Sequence, residues 1–149
     1  MIRKMTPADR ELYKALSLEF YATDAVDHPL PPSYFDAVFT EILQEGPYMD
    51  GYILSADGED AGYAVVSKMW AVEAAGLCVW VEDIYIRASY RGKGLGGEFF
   101  RFLKETYPQA NRFRLEVEAD NDAAVALYRK HGFEFLPYDQ MICDREPIR

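Results

Sequence analysis

The chain is poor in the residues that carry redox and metal chemistry: 2 cysteines and 2 histidines in 149 residues. Cys78 and Cys143 stand far apart with no histidine cluster beside them, so neither a disulfide framework nor a zinc site is expected and no metal is called for. Both thiols read as inert. Basic charge is scarce as well. Sixteen Lys and Arg against 25 Asp and Glu leave a net charge of −9, which argues against nucleic acid as a partner, since phosphate recognition needs a basic face. No apolar run approaches membrane-spanning length, and Met1 to Lys14 has no apolar signal core, so no membrane partner is expected and the cytoplasm is the default compartment. What is abundant is apolar material: half of the residues are hydrophobic and 15% aromatic, enough for one well-buried core and too little chain for two. The expectation is a single domain over residues 1–149. The acidic balance serves solubility first, and is also compatible with cations drawn toward an acidic cleft.

Periodicity and punctuation divide the chain into alternating elements. Ile2 to Met5 reads as a strand, followed by a helix with Thr6 as cap, Pro7 in its first turn and Asp9 three residues after the cap; Leu12, Leu16 and Phe20 form its apolar stripe. Thr23 to Pro32 is a loop. Ser33 caps a second helix whose Phe35, Val38, Phe39 and Ile42 face inward, and Gly46-Pro47 stops it. Asp57-Gly58 is a hairpin signal between Tyr52 to Ala56 and Ala61 to Trp70, and Leu77 to Ile86 makes the next strand. A helix from Leu95 to Tyr107, a strand from Arg112 to Val117, a helix from Asn121 to His131 ended by Gly132, and two short strands in Phe133 to Cys143 bent at Pro137 complete the order β-α-α-β-β-β-α-β-α-β-β. This is an α/β chain with a mixed, mostly antiparallel sheet and helices on both faces.

The loop Arg91-Gly92-Lys93-Gly94-Leu95-Gly96-Gly97 carries the strongest chemical signal, because it joins an apolar strand to an amphipathic helix. Glycines permit a tight turn and close approach, and the first N–H groups of a helix have no carbonyl partner, so the pattern makes an anion cradle. A nucleotide-triphosphate loop would need Ser or Thr after Gly-Lys to hold magnesium, and Lys93 is followed by Gly94. Gly92, Gly94 and Gly97 match dinucleotide-binding spacing, with Glu116 or Glu118 near the place of a ribose-binding acid. Against that reading, Arg87 to Arg91 intervene between strand and loop, and too little chain follows for the second half of such a fold.

Two linked motifs narrow the choice. Arg91-x-x-Gly94-x-Gly96 follows the strand Val81-Glu82-Asp83-Ile84-Tyr85-Ile86; Leu115-Glu116-Val117 then leads to Asn121-x-x-Ala124-x-x-Leu127-Tyr128-x-x-x-Gly132-Phe133. From Ile84 to Phe133 the chain thereby resembles the GCN5-related N-acetyltransferase family, whose co-substrate is acetyl-coenzyme A. The resemblance implies that the backbone of Ile84, Tyr85 and Ile86 pairs with the pantetheine arm like an added strand. It implies that N–H groups of Arg91, Gly92, Lys93, Gly94, Leu95 and Gly96 hold the pyrophosphate, with Gly96 and Gly97 kept small for ligand approach or, more simply, for helix–sheet packing. Tyr128 takes the role of general acid toward the coenzyme A thiolate, although an isolated Leu-Tyr pair would read as core. Asn121 reads equally as a helix cap and as a hydrogen-bond partner of the pantetheine. The base that deprotonates the amine falls at Glu82, with Asp83 beside it at the acceptor, if the polyamine-acetylating branch is the guide, and at Glu116 if the protein N-terminal-acetylating branch is; Glu118 is a third acid. His131, with Arg129 and Lys130, suits the negative end of its helix dipole, and His28 is assigned no catalytic role. The function implied is acetyl transfer to a primary amine, a small cationic one by the local acidic cluster, in a homodimer by family habit; a catalytically silent coenzyme A-binding module and a protein N-terminal acetyltransferase are the alternatives.

Overall fold

Local sequence signals set most element boundaries in the computed structural model of the protein, which describes residues 1–146. Strand β1 (Ile2–Lys4) runs through a single 3-10 turn (Pro7–Asp9) into helix α1 (Arg10–Tyr21). The expected cap forms: the Asp9 carboxylate accepts the Thr6 backbone N–H at 2.8 Å, and Arg3 grips the same carboxylate through both terminal nitrogens at 2.8 Å. That guanidinium holds Asp9 down to about 2. Helix α2 (Pro32–Leu43) starts at Pro32 rather than after a Ser33 cap, because the first helical position tolerates a missing N–H. Strands β2 (Met49–Ala56) and β3 (Glu59–Ala71) meet at Asp57-Gly58, where both residues take the positive φ (54° and 81°) that a two-residue hairpin requires. Strand β4 (Gly76–Ile86), helix α3 (Leu95–Thr106), strand β5 (Ala110–Leu115) and helix α4 (Asp122–Lys130) follow.

The five strands form one sheet in the order β1-β2-β3-β4-β5, antiparallel throughout except for the parallel pair β4–β5. A doubly wound parallel sheet, and with it the dinucleotide reading, is therefore excluded. Helices α1 and α2 cover one face through Tyr13, Leu16, Phe35 and Phe39 against Ile53, Tyr63 and Val65. Helix α3 covers the other through Phe99, Phe100 and Leu103 against Leu54, Val66, Val79 and Val81, with Leu127 and Tyr128 of α4 packed at its margin. The mixed sheet with helices on both faces is the architecture expected from the sequence.

The two terminal strands expected in Phe133 to Cys143 do not form: no ladder involves these residues, and Tyr138, Met141 and Ile142 are exposed, Met141 at 97%. Pro137 interrupts the run, and side chains left in water supply no burial to offset the ordering of the backbone. Among the described residues the outer edge of β5 has no strand neighbour.

One irregularity positions everything that follows. Opposite β3, Val65 pairs with Asp83 and Val66 with Val81, so Glu82 is an extra residue, a β-bulge. It reverses the alternation of β4. Val79 and Val81 belong to the α3 face before it, while Ile84 and Ile86 belong to that face after it and Tyr85 turns to α1. The pairing of β4 with β5 ends at the same place, at Val81–Leu115, and the two strands part. Gly62 keeps β3 close to the far end of β4: it pairs with Ile86, and a Cβ there would sit 2.1 Å from the Tyr85 carbonyl oxygen. Because the obstacle is backbone, Gly62→Ala should destabilise the protein by about 1–3 kcal/mol in chemical denaturation. An unchanged midpoint would show that the end of β4 is free to yield.

Candidate active site

Where β4 and β5 part, a cavity of about 600 Å³ opens, with β4 on one side, the segment after β5 and the start of α4 on the other, and the glycine loop at its end. Beyond Val81 no strand pairs with this edge of β4, so the backbone of Ile84 to Ile86 faces the cavity as an open sheet edge. Ile84, Tyr85 and Ile86 all line it, as does the loop through Arg91, Gly92, Gly94, Leu95, Gly96 and Gly97.

The glycines of that loop have two different reasons to be small. Gly92 and Gly94 take φ of 74° and 85°, and a Cβ on either would touch nothing, so the requirement lies in the backbone turn that delivers Gly94 to the first position before α3. Gly96 and Gly97 are helical. A Cβ on Gly96 would lie 2.9 Å from Leu127, and one on Gly97 3.1 Å from His131, so their smallness seats α4 against α3, as the simpler packing reading held. The loop's cations are turned to internal work. Arg91 Nε donates to the Ile86 carbonyl at 2.7 Å, and its guanidinium lies 5.8 Å from the centroid of the Tyr85 ring. Lys93, expected among the cofactor contacts, does not line the cavity: it pairs with Asp57 at 3.5 Å and sits over the Tyr90 ring. The cradle is thus offered by main-chain N–H groups at the N-terminus of α3.

Tyr128 lines the cavity from α4, its ring edge-on to Phe100 at 5.5 Å and its hydroxyl without a hydrogen-bond partner among the described residues. Burial pushes the phenol pKa up, which keeps it protonated. Core packing and a place on the cavity lining coexist in one side chain. Asn121 forms the expected cap, its side chain accepting the Ala124 N–H at 3.3 Å at the start of α4, and it also borders the cavity.

Glu82 and Glu116 line the same cavity, as does Glu118. Ser67 Oγ donates to Glu82 at 2.5 Å. The nearby arginines are engaged elsewhere, Arg87 with Glu19 at 2.7 Å, Arg112 with Glu73 at 3.6 Å and Arg114 over the Trp80 ring at 4.3 Å. Among the described residues none of these three arginines pairs with Glu82, Glu116 or Glu118.

Asp83, expected beside the acceptor, is a correction. The bulge turns it under α1, where it is 8% exposed, does not line the cavity, and accepts the Tyr21 hydroxyl at 2.9 Å and the Tyr63 hydroxyl at 2.8 Å. Burial raises its pKa to about 6, the two phenols opposing and Glu82 adding to the rise. Tyr63 was not legible as its partner, because only strand register brings the two together. Phe20, Thr23 and Ala25, at the end of α1 and in the loop after it, form the remaining wall. His131 does not serve as a helix-end cation: burial, then Lys104, Arg101 and Lys130, lower its pKa, and its ring packs on Phe100. His28 lies beside Asp27 and away from the cavity.

This geometry agrees with sequence comparison. The acetyltransferase (GNAT) family matches residues 10–133. The chain belongs to that family. It is 34% identical over 101 residues to a putative [ribosomal protein bS18]-alanine N-acetyltransferase of Bacillus subtilis, a match covering 66% of this chain and 62% of the relative, so the chain spans less than two thirds of that protein. It is 29% identical over 133 residues to N-alpha-acetyltransferase RimI of Mycobacterium tuberculosis, covering 89% of this chain and 77% of the relative. The fold matches a possible acetyltransferase of Clostridium difficile 630 with a TM-score of 0.80 at 17% identity, covering 99% and 98% of the two chains. It matches the aminoglycoside N-acetyltransferase AAC(6')-Iy, solved with a bisubstrate analogue, with a TM-score of 0.77 at 21% identity over 99% and 97%.

The raised pKa of Asp83 fixes the sign of a pH effect. A carboxylate that binds its proton more tightly when folded than when unfolded favours the fold fully below the unfolded value near ~3.9 and loses that contribution as pH rises through about 6. Asp83→Asn removes the titration. Relative to wild type, the variant should therefore gain up to about 3 kcal/mol between pH 4 and pH 7 in urea denaturation. A pH-independent difference would mean that Asp83 titrates like a solvated acid.

Proposed function

We propose that the protein is an acetyl-coenzyme A-dependent N-acetyltransferase, a single catalytic domain over residues 1–149, acting on a small cationic amine. The observation that carries this reading is the meeting, in one cavity, of an open β4 edge, an α3 N-terminus without a competing side chain, the Tyr128 hydroxyl and the Glu82 carboxylate. An open strand edge accepts an extended amide-bearing arm as it would another strand. Helix N–H groups at Gly94 to Gly96 suit a pyrophosphate.

Within that arrangement each residue has a definite task. An aliphatic ammonium with pKa near ~10.4 must lose a proton before it attacks, and Glu82, held by Ser67 on the side of the sheet that bears α1, receives it directly or through water. The amine nitrogen bonds to the acetyl carbon, the carbon–sulfur bond breaks, and Tyr128 gives its proton to the departing thiolate, whose conjugate acid lies near ~8.5; the second proton on the acylated nitrogen then passes, directly or through water, to the Tyr128 phenolate and restores it. Glu116 and Glu118 add negative potential across the cavity and, with no arginine committed to them, favour a cationic acceptor. A protein N-terminal amine with Glu116 as base is the second reading, favoured by the likeness to a ribosomal-protein-alanine N-acetyltransferase and to an N-alpha-acetyltransferase.

Free-thiol release over a panel of polyamines, amine antibiotics and N-terminal peptides decides between the acceptors. Tyr128→Phe should lower turnover by about two to four orders of magnitude with acetyl-coenzyme A binding unchanged, and Glu82→Gln should recover part of its loss at high pH. Near-normal turnover by a folded Tyr128→Phe variant would reduce the residue to packing. Peptides outperforming every small amine would move the base to Glu116. We also propose a homodimer, supported by the exposed apolar side chains of Tyr138, Met141 and Ile142 and by the edge of β5, which has no strand neighbour among the described residues. Light scattering at micromolar concentration should report twice the chain mass, and a monomer would dispose of it.

A further inference from the structure

We infer that Asp83 is a positioning residue for the acceptor: through Tyr21 it ties the end of α1 to β4 and so fixes the wall against which the amine is held. The inference rests on the proposed acceptor half of the cavity. Asp83 follows the bulged Glu82 directly, so whatever its carboxylate holds is set relative to the proposed base. What it holds is the hydroxyl of the last residue of α1, at 2.9 Å. Phe20, next to Tyr21, lines the cavity and stacks on Tyr85 at 5.5 Å. The chain beyond is folded back on this point: Thr23 Oγ1 donates to the Phe20 carbonyl at 2.7 Å and accepts the Ala25 N–H at 3.3 Å. Thr23 and Ala25 line the cavity too. The Tyr21–Asp83 hydrogen bond therefore joins β4 to the residue beside Phe20, at the point where the wall passes from helix end to loop.

The second phenol supplies the internal control. Tyr63 donates to the other oxygen of Asp83 at 2.8 Å, but it lies on β3, is fully buried and contributes nothing to the cavity. Both hydroxyls donate to the same carboxylate over comparable lengths; Tyr63 touches the wall only through its ring, 6.4 Å from the Phe20 centroid, which a phenylalanine keeps, whereas Tyr21 adjoins Phe20 in the helix end itself. Glu19, which grips Arg87 at 2.7 Å and 3.0 Å, anchors α1 to β4 independently, so loss of the Tyr21 bond loosens the wall without detaching the helix.

The test compares Tyr21→Phe with Tyr63→Phe in the full chain. Tyr21→Phe should raise the Michaelis constant for the best amine about tenfold, leave kcat within about twofold and leave acetyl-coenzyme A affinity unchanged. Amide hydrogen exchange across residues 22–30 should quicken by about tenfold, with α3 and α4 unaffected. Tyr63→Phe should lower global stability and leave the acceptor Michaelis constant and loop exchange within about twofold. Equal effects of the two variants, or a loss in kcat alone for Tyr21→Phe, would overturn the inference and return Asp83 to a general structural role. The exchange contrast needs no acceptor, so it stands or falls separately from the proposed function: a chain that acetylates no amine tested would still show it.

Discussion

The extra residue in β4 is the constraint from which the rest of the site follows. A strand that keeps strict alternation would continue to pair with β5 and to present the same face to α3. With Glu82 inserted, the apolar alternation restarts at Ile84, so α3 still finds Ile84 and Ile86 to pack against while Asp83 and Tyr85 are sent to α1. A bulge also sharpens local twist, and the ladder to β5 stops at the residue before it. The cavity is thus a gap in hydrogen bonding rather than a gap in packing. That distinction bears on what enters it: unpaired strand backbone favours a ligand with amide groups in an extended arm over a compact apolar one.

At the other end of the cavity the loop is held by its own cations. Arg91, which also lines the cavity, donates its Nε to the Ile86 carbonyl, and Lys93 pairs with Asp57 and sits over the Tyr90 ring. Their effect is to fix the loop in the turn that Gly92 and Gly94 permit, which in turn aims the first N–H groups of α3. Charge here acts by shaping backbone. Gly96 and Gly97 then allow α4 to sit close to α3, and that contact brings Tyr128 to the cavity rim. One short loop accordingly places both the anion cradle and the phenol.

What the sequence made legible was what is local in the chain. The Thr6–Asp9 cap, the Asp57-Gly58 hairpin, the glycine loop and the Asn121 cap are each decided within a few residues, and each stands where spacing puts it. The bulge was not legible, because nothing in Val81-Glu82-Asp83 marks which residue is supernumerary; it exists only relative to Val65 and Val66. Asp83 was misplaced for that reason, since one slip in register carries a side chain from one face to the other. The tail from Phe133 to Cys143 has strand-like composition, but composition settles pairing only when a face is available to bury against, and none is supplied here.

Two buried aspartates show how differently the fold treats the same charge. Asp50 and Asp83 are almost equally enclosed, at 9% and 8% exposure, and each accepts a hydrogen bond from tyrosine, Asp50 from Tyr107 and Asp83 from Tyr21 and Tyr63. Burial pushes both upward. At Asp50 the Lys68 ammonium 2.8 Å away, the Tyr107 hydroxyl and Lys4 together more than offset this, and its pKa ends below the ordinary value. At Asp83 no ammonium or guanidinium acts; the nearest charge is the like-signed Glu82, and its pKa rises to about 6. Near neutral pH both are ionised, so the first is a neutralised pair and the second an uncompensated charge held by neutral donors. Burying such a charge is costly, and the fold meets that cost with the Tyr21 and Tyr63 hydroxyls alone, so ionisation of Asp83 weakens the fold as pH rises whereas ionisation of Asp50 strengthens it.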